Sequence, residues 1–362
     1  MTTPEHIASA KWWPTMATAE PAAYVGTETC ARCHEEIVQT QSKSQMARTL
    51  GPAGSSAVLS QHVGRQYRSG PYTYTLSQRG GRATMLVSTG QVSAGQQSRS
   101  ADLRWAFGSG EVGQSYLWQE ADGSFREARF NYFSSLNGFG ATPGRLHGAP
   151  VSLDMAMGRR VEDFEAKTCF ACHTTSMSSA TPLDVKSLVP GVRCEACHGP
   201  GAQHVAAMRA ADTKSADADT HIVNSAHMTP AQSVDFCGAC HSTPWDVRIM
   251  GATGLQTVRF PAYRLEKSRC WGTQGDARVT CYACHDPHAP LERRPASYDG
   301  ACLACHRVEH QQADAQHPGA ACPVANSKCV TCHMQKYELP EMHAKFTDHM
   351  IRVVRSGAAI PD

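Results

Sequence analysis

The sequence predicts mainly short α-helices and loops wrapped around large covalently held groups, with a small antiparallel β insert. Three observations predict it. The run Cys-x-x-Cys-His occurs seven times in 362 residues. Aromatic residues make up 7% and mean hydropathy is −0.38, so side chains alone would make a thin core. Residues 35–168 hold no copy of the run, and strand-like alternation is concentrated there.

The seven runs are Cys30/Cys33/His34, Cys169/Cys172/His173, Cys194/Cys197/His198, Cys237/Cys240/His241, Cys281/Cys284/His285, Cys302/Cys305/His306 and Cys329/Cys332/His333. Each reads as a c-type haem site: two cysteines form thioethers and the histidine ligates the iron. Zinc also uses paired cysteines, but it gives no reason for histidine to follow the second cysteine every time. A disulfide framework predicts nothing about histidine. The expected cofactor is therefore haem c, seven covalent copies, and at that density electron transfer is the expected function. Haem also supplies the missing apolar bulk, so the apoprotein is expected to be largely unfolded.

In chain order, residues 1–25 read as an extended arm, with Trp12, Trp13 and Tyr24 as possible anchors. Residues 26–55 form a mono-haem segment. Residues 56–140 form a haem-free β insert. There Tyr72 to Leu76 alternates, Gly80-Gly81 makes a turn, and Ala83 to Val87 resumes. Gln114 to Gln119, a turn at Ala121-Asp122-Gly123, and Phe125 to Phe133 make a second hairpin. One small sheet over residues 60–135 follows, a platform expected to cover the first haem. Residues 141–362 form a six-haem block with a ligand-bearing tail. Its helices are expected to be short, because Pro190-Gly191, Gly199-Pro200-Gly201 and Asp286-Pro287 break the chain beside the motifs.

Sixth ligands come next. Eighteen histidines less the seven of the motifs leave eleven. That surplus points to mostly bis-His iron. His204 follows the Gly-Pro-Gly turn and is placed on an adjacent haem. His288 lies three residues after His285, cannot reach the far face of the same haem, and should serve a neighbour. His147 follows Thr142-Pro143-Gly144. One of His310 and His317 is a ligand, with His317 the first choice. His62 is a further candidate. His6, His221 and His227 read as surface residues. Met46 is either the sixth ligand of haem one or a thioether packed on the porphyrin. The two remaining cysteines, Cys270 and Cys322, are expected to form a disulfide worth about 3–4 kcal/mol, the alternative being two buried thiols.

The formal charge is +2, and haem propionates move the holoprotein to the acidic side. No basic run or basic-aromatic stripe suggests nucleic acid. No apolar stretch approaches the roughly 18 residues of a membrane span. No secretory h-region is visible either. Because c-type haem is attached outside the cytoplasm, the numbering is expected to start after a removed leader, and the location is periplasmic or extracellular.

Further stretches resemble secreted bacterial multihaem cytochromes c, the cytochrome c554-like group. They are Trp105 to Gly110 with Gly113 to Tyr116, Gly199-Pro200-Gly201 with His204, Ile222-Val223-Asn224, Asp286-Pro287-His288, Met334 after the last motif, and Phe346-Thr347-Asp348-His349. The resemblance spans roughly residues 25–355 and implies a multihaem cytochrome c fold. It also places His343 and His349 at ligand-bearing positions. The chain lacks Cys-x-x-Cys-Lys, which marks the catalytic haem of many ammonia-forming nitrite reductases. The expected function is extracytoplasmic electron transfer without catalysis, with redox proteins or other cytochromes as partners. Two alternatives stay open: a subunit of an extracellular cytochrome filament or larger complex, and an oxidoreductase acting on a small nitrogen or sulfur oxyanion.

Overall fold

The computed structural model describes residues 21–89, 97–144, 148–176, 183–210, 221–271, 278–306, 321–355 and 357–362. They divide into two compact units. The first comprises described residues of 21–223 with 340–344; the second comprises those of 224–339 with 345–362. Motifs one to three lie in the first and motifs four to seven in the second. No helix among the described residues is long and apolar enough to cross a membrane.

The first unit is built on strands β1 Leu50–Pro52, β2 Gln66–Ser69, β3 Tyr72–Arg79, β4 Arg82–Thr89, β5 Ser98–Leu103, β6 Trp105–Phe107, β7 Gly113–Gln119, β8 Phe125–Ala128, β9 Phe130–Phe133, β10 Gly138–Ala141 and β11 Gly158–Val161. Period-two alternation drives β3 and β4. Tyr72, Tyr74 and Leu76 share one buried face, and Ala83, Met85 and Val87 meet them across the pair. Gly80 and Gly81 close the hairpin at φ +55° and +75°, which a two-residue turn with the strands' own twist requires. Strands β2-β3-β4-β5 form a four-stranded sheet. A seven-stranded sheet runs β1-β6-β7-β8-β11, with β9 on β7 and β10 on β9. One core draws on both, including Tyr74, Met85, Tyr116, Trp118, Phe130 and, from helix Leu153–Met157, Met157.

This overturns the expectation of mainly short helices and loops with one small insert. The described residues hold four sheets, of seven, four, two and two strands. Both hairpins form where the alternation places them. The missed strands β1, β6, β10 and β11 are only three or four residues long, too short for alternation to register, and are recruited by distant partners such as Leu50 opposite Phe107.

In the second unit the helices are short and capped. Thr229 and Gln232 form a capping box at helix Pro230–His241, and Thr243 with Asp246 does the same at Pro244–Met250. Its apolar clusters are small: Val234, Ala262, Leu265 and Trp271 in one, Val247, Phe260 and Tyr263 in another.

Candidate haem centres

A Cys-x-x-Cys-His run coiled into one helical turn presents both sulfurs and the ring on the same side, because positions i, i+3 and i+4 are neighbours on a helix. The motifs are built that way. Motif two ends helix Asp163–His173, motif three is helix Cys194–His198, and motif four ends helix Pro230–His241. In motifs five, six and seven the histidine N–H donates to the carbonyl of the first cysteine, at 3.0 Å each. Motif one lies inside helix Thr27–Gln41, which leaves helical geometry at His34 itself, φ −120° and ψ 42°.

The ring nitrogens carry the decisive geometry. His173 Nδ1 faces the Thr49 carbonyl at 3.0 Å and the Thr49 hydroxyl at 2.7 Å. His198 Nδ1 donates to Val223 O at 2.7 Å, and His333 Nδ1 to Arg352 O at 3.0 Å. A carbonyl can only accept, so Nδ1 carries the proton and Nε2 keeps its lone pair. That is the tautomer and anchoring an iron-ligating histidine needs. His349 shows the same device, Nδ1 donating to Thr347 O at 3.0 Å.

His349 also has an opposite number. Its ring centroid lies 6.2 Å from that of His285. Two imidazoles bonded at about 2 Å on opposite sides of one metal put their centroids roughly 6 Å apart. That spacing is what one haem between the two rings would require. Burial first, and His285 second, push the His349 imidazole down to about 4, so it stays neutral near pH 7. Replacing His349 by Ala should therefore open one iron, seen as one more carbon-monoxide-binding haem than in the natural protein; an unchanged spectrum removes the pairing.

His62 is a correction. It is 2% exposed within the β unit, with Nδ1 2.7 Å from Val58 O and Nε2 3.2 Å from Asn137 O. Its ring packs edge-on against Tyr132 and Phe139. A carbonyl faces each nitrogen, so no lone pair is presented to iron. It is a core histidine.

The other candidates are placed as follows. His204 is half-buried on helix Ala202–Ala210. His288 is 39% exposed in its side chain, 3.8 Å from Asp286. His343 is half-buried, in left-handed geometry at φ +45°, with its ring 4.7 Å from Phe133. Met46 is half-buried in the turn after helix Thr27–Gln41, its carbonyl accepting from Val192 N. His306 is half-buried; His34 and His241 are exposed. His6, His147, His310 and His317 lie outside the described residues.

Six of the seven first cysteines meet in pairs, Cys169 of motif two being the exception. Cys30 hydrogen-bonds Cys194, Cys237 hydrogen-bonds Cys281, and Cys302 hydrogen-bonds Cys329. Motif one therefore lies against motif three, although 134 residues without a motif separate it from motif two. Glu195, inside motif three, fixes this contact. Its buried carboxylate accepts from the N–H groups of Val25, Gly26 and Gly201, at 2.9 Å each.

The second cysteines stand nearer the surface. Cys33, Cys284, Cys305 and Cys332 are exposed, and Cys172, Cys197 and Cys240 are half-buried. All seven first cysteines, by contrast, are half-buried. No disulfide takes up any of the fourteen, so none of these sulfurs is committed to another cysteine.

Motif two is backed by the seven-stranded sheet. Trp105, Phe107 and Phe125 pack on Phe170 at 5.2, 5.1 and 5.9 Å, and Phe107 stands edge-on to His173 at 5.1 Å. The β platform thus serves the second motif; it was expected over the first. Burial, with Glu127 and Glu165, pushes the Cys169 thiol up to about 12.

The expected Cys270–Cys322 disulfide is not formed. Cys322 is exposed, whereas Cys270 lies beside Cys284, Cys302 and Cys305, with its thiol pushed up by burial. Their even number suggested a bond, but the space around Cys270 is taken by motif cysteines. Sequence reasoning also missed Glu195 and Asp348. Each draws a decisive partner from far along the chain, Arg264 for Asp348 and Val25 with Gly26 for Glu195.

A family model described as cytochrome c554 and c-prime matches residues 149–199. The matched stretch contains motifs two and three. No curated protein and no solved structure matches the chain. Over residues 149–199 the chain is therefore similar to a cytochrome c family, which points in general terms to covalently bound haem c and haem-based electron transfer.

Proposed function

We propose that this chain carries seven covalent haems c and passes electrons between redox proteins outside the cytoplasm, transforming no substrate. The observation that carries this reading is the repeated tautomer: His173, His198 and His333 each turn Nδ1 to a backbone carbonyl and leave Nε2 for iron. Haem supplies a one-electron iron couple whose potential follows its axial ligands and burial. The protein's part is placement. The cysteine pairs bring motif one to three, four to five, and six to seven, so electrons have close steps within each unit. Thr49, Val223 and Arg352 hold the proximal rings. His349 would serve as second ligand to the iron held by motif five, which favours a carrier over an enzyme needing an open iron.

Intact mass after denaturation tests the count: the polypeptide, 39.1 kDa without cofactors, should be heavier by seven haems. Zinc without haem absorbance would overturn the reading. Steady turnover of nitrite, hydroxylamine or tetrathionate at about 1 s⁻¹ or more would overturn the carrier part alone.

A further inference from the structure

Asp348 sits between Thr347 and His349 and is 0% exposed. A carboxylate taken out of water is costly unless strongly paired. Here it is paired on every side. Arg264, also 0% exposed, grips it as a fork, Nε to Oδ1 and Nη2 to Oδ2, both at 2.8 Å. Arg352 Nη1 donates to Oδ2 at 2.5 Å, and Met350 N donates to Oδ1 at 2.9 Å. The backbone N–H of Asp348 donates to Gln335 O at 2.9 Å. Arg264 is anchored in turn by Pro361 O at 2.6 Å, and Arg352 by Tyr337 Oη at 3.2 Å.

This cluster touches two ligand systems. On one side it clamps residues 348–350, the short bend that aims His349 at His285. On the other, the backbone of Arg352 brackets His333: its N–H donates to His333 O at 3.2 Å and its carbonyl accepts from His333 Nδ1 at 3.0 Å. A buried ion pair is a poor device for stability alone, since apolar residues of the same volume often do as well. It is a good device for fixed geometry, because a two-pronged guanidinium–carboxylate contact permits one orientation.

We propose that Asp348, held between Arg264 and Arg352, is the positioning residue that sets His349 on the iron of motif five and steadies His333 on that of motif seven. The proposal rests on the motifs holding haem. Asp348 touches neither iron and acts through the two histidines.

The test is Asp348→Asn in the full-length holoprotein, with haem counted by intact mass and spin state read by electron paramagnetic resonance and carbon monoxide binding. The expected result is an unchanged haem count with one more high-spin, carbon-monoxide-binding haem than the natural protein. Adding His349→Ala to the variant should open no further iron, because both changes act on one ligand. A shifted potential for a second haem should report the loosened His333. If Asp348→Asn yields no holoprotein, Arg352→Met removes only the less buried arm and should show the same new adduct. Natural low-spin spectra and potentials in whichever variant is isolated overturn the proposal. A natural protein without haem would instead sink the reading on which it rests.

Discussion

Protein made without haem attachment should keep the β part of its first unit folded and lose its second unit. The two units draw on different sources of stability. In the first, Tyr74, Met85, Tyr116, Phe130 and Met157 are each at most 1% exposed in one core between two sheets. Fully burying side chains of this size is worth about 1.5–3 kcal/mol each. Among the described residues of the second unit the apolar clusters are small, of four and three buried residues. Ordering a backbone costs about 1–2 kcal/mol per residue, and clusters of that size cannot offset it over residues 224–362. On the proposed reading, haem supplies the rest. Limited proteolysis of the apoprotein, read by mass, should leave a fragment covering most of residues 50–161 and digest residues 224–362. Protection of the second unit in the absence of haem would show that its side chains suffice.

Replacing Phe130 by Ala should cost about 3–5 kcal/mol, the usual range for a fully buried phenylalanine. Phe130 is 1% exposed and meets Tyr74, Tyr116 and Phe139 at 5.8, 5.6 and 5.1 Å between ring centroids. The β core is closed on all sides, so the cavity has little way to collapse. Urea unfolding followed by far-ultraviolet circular dichroism measures the loss. The haem count should not change, since Phe130 belongs to no motif. A loss under about 1 kcal/mol would mean that the core relaxes around the deletion.

What could be read in advance divides along locality. Cys-x-x-Cys-His is complete within five residues, so the runs themselves, and their coiling into single turns at motifs two to four, could be read directly. The β3–β4 hairpin was equally legible, because alternation and the Gly80-Gly81 turn are neighbours in sequence. The seven-stranded sheet was not, because β11 pairs with β8 across some thirty residues and carries no alternation of its own, Gly158 opposite Ala128. His62 shows the limit for single residues. A histidine surplus says that some are ligands, but only the carbonyls of Val58 and Asn137 show that this one is not. Asp348 and Glu195 look like ordinary acidic residues until Arg264, 84 positions away, and Val25, 170 positions away, are folded onto them.

The Glu195 contact also has a consequence in time. Val25 and Gly26, at the mouth of the first motif's helix, are held by a carboxylate made 170 residues later. At about 5–20 residues per second of synthesis, that is a wait of roughly 10–30 s. Over that interval the first motif has neither Glu195 nor Cys194 to lie against. Motif three meets its partner already made. The contact between the first and third motifs therefore begins as a schedule, with the earlier motif waiting on the later one.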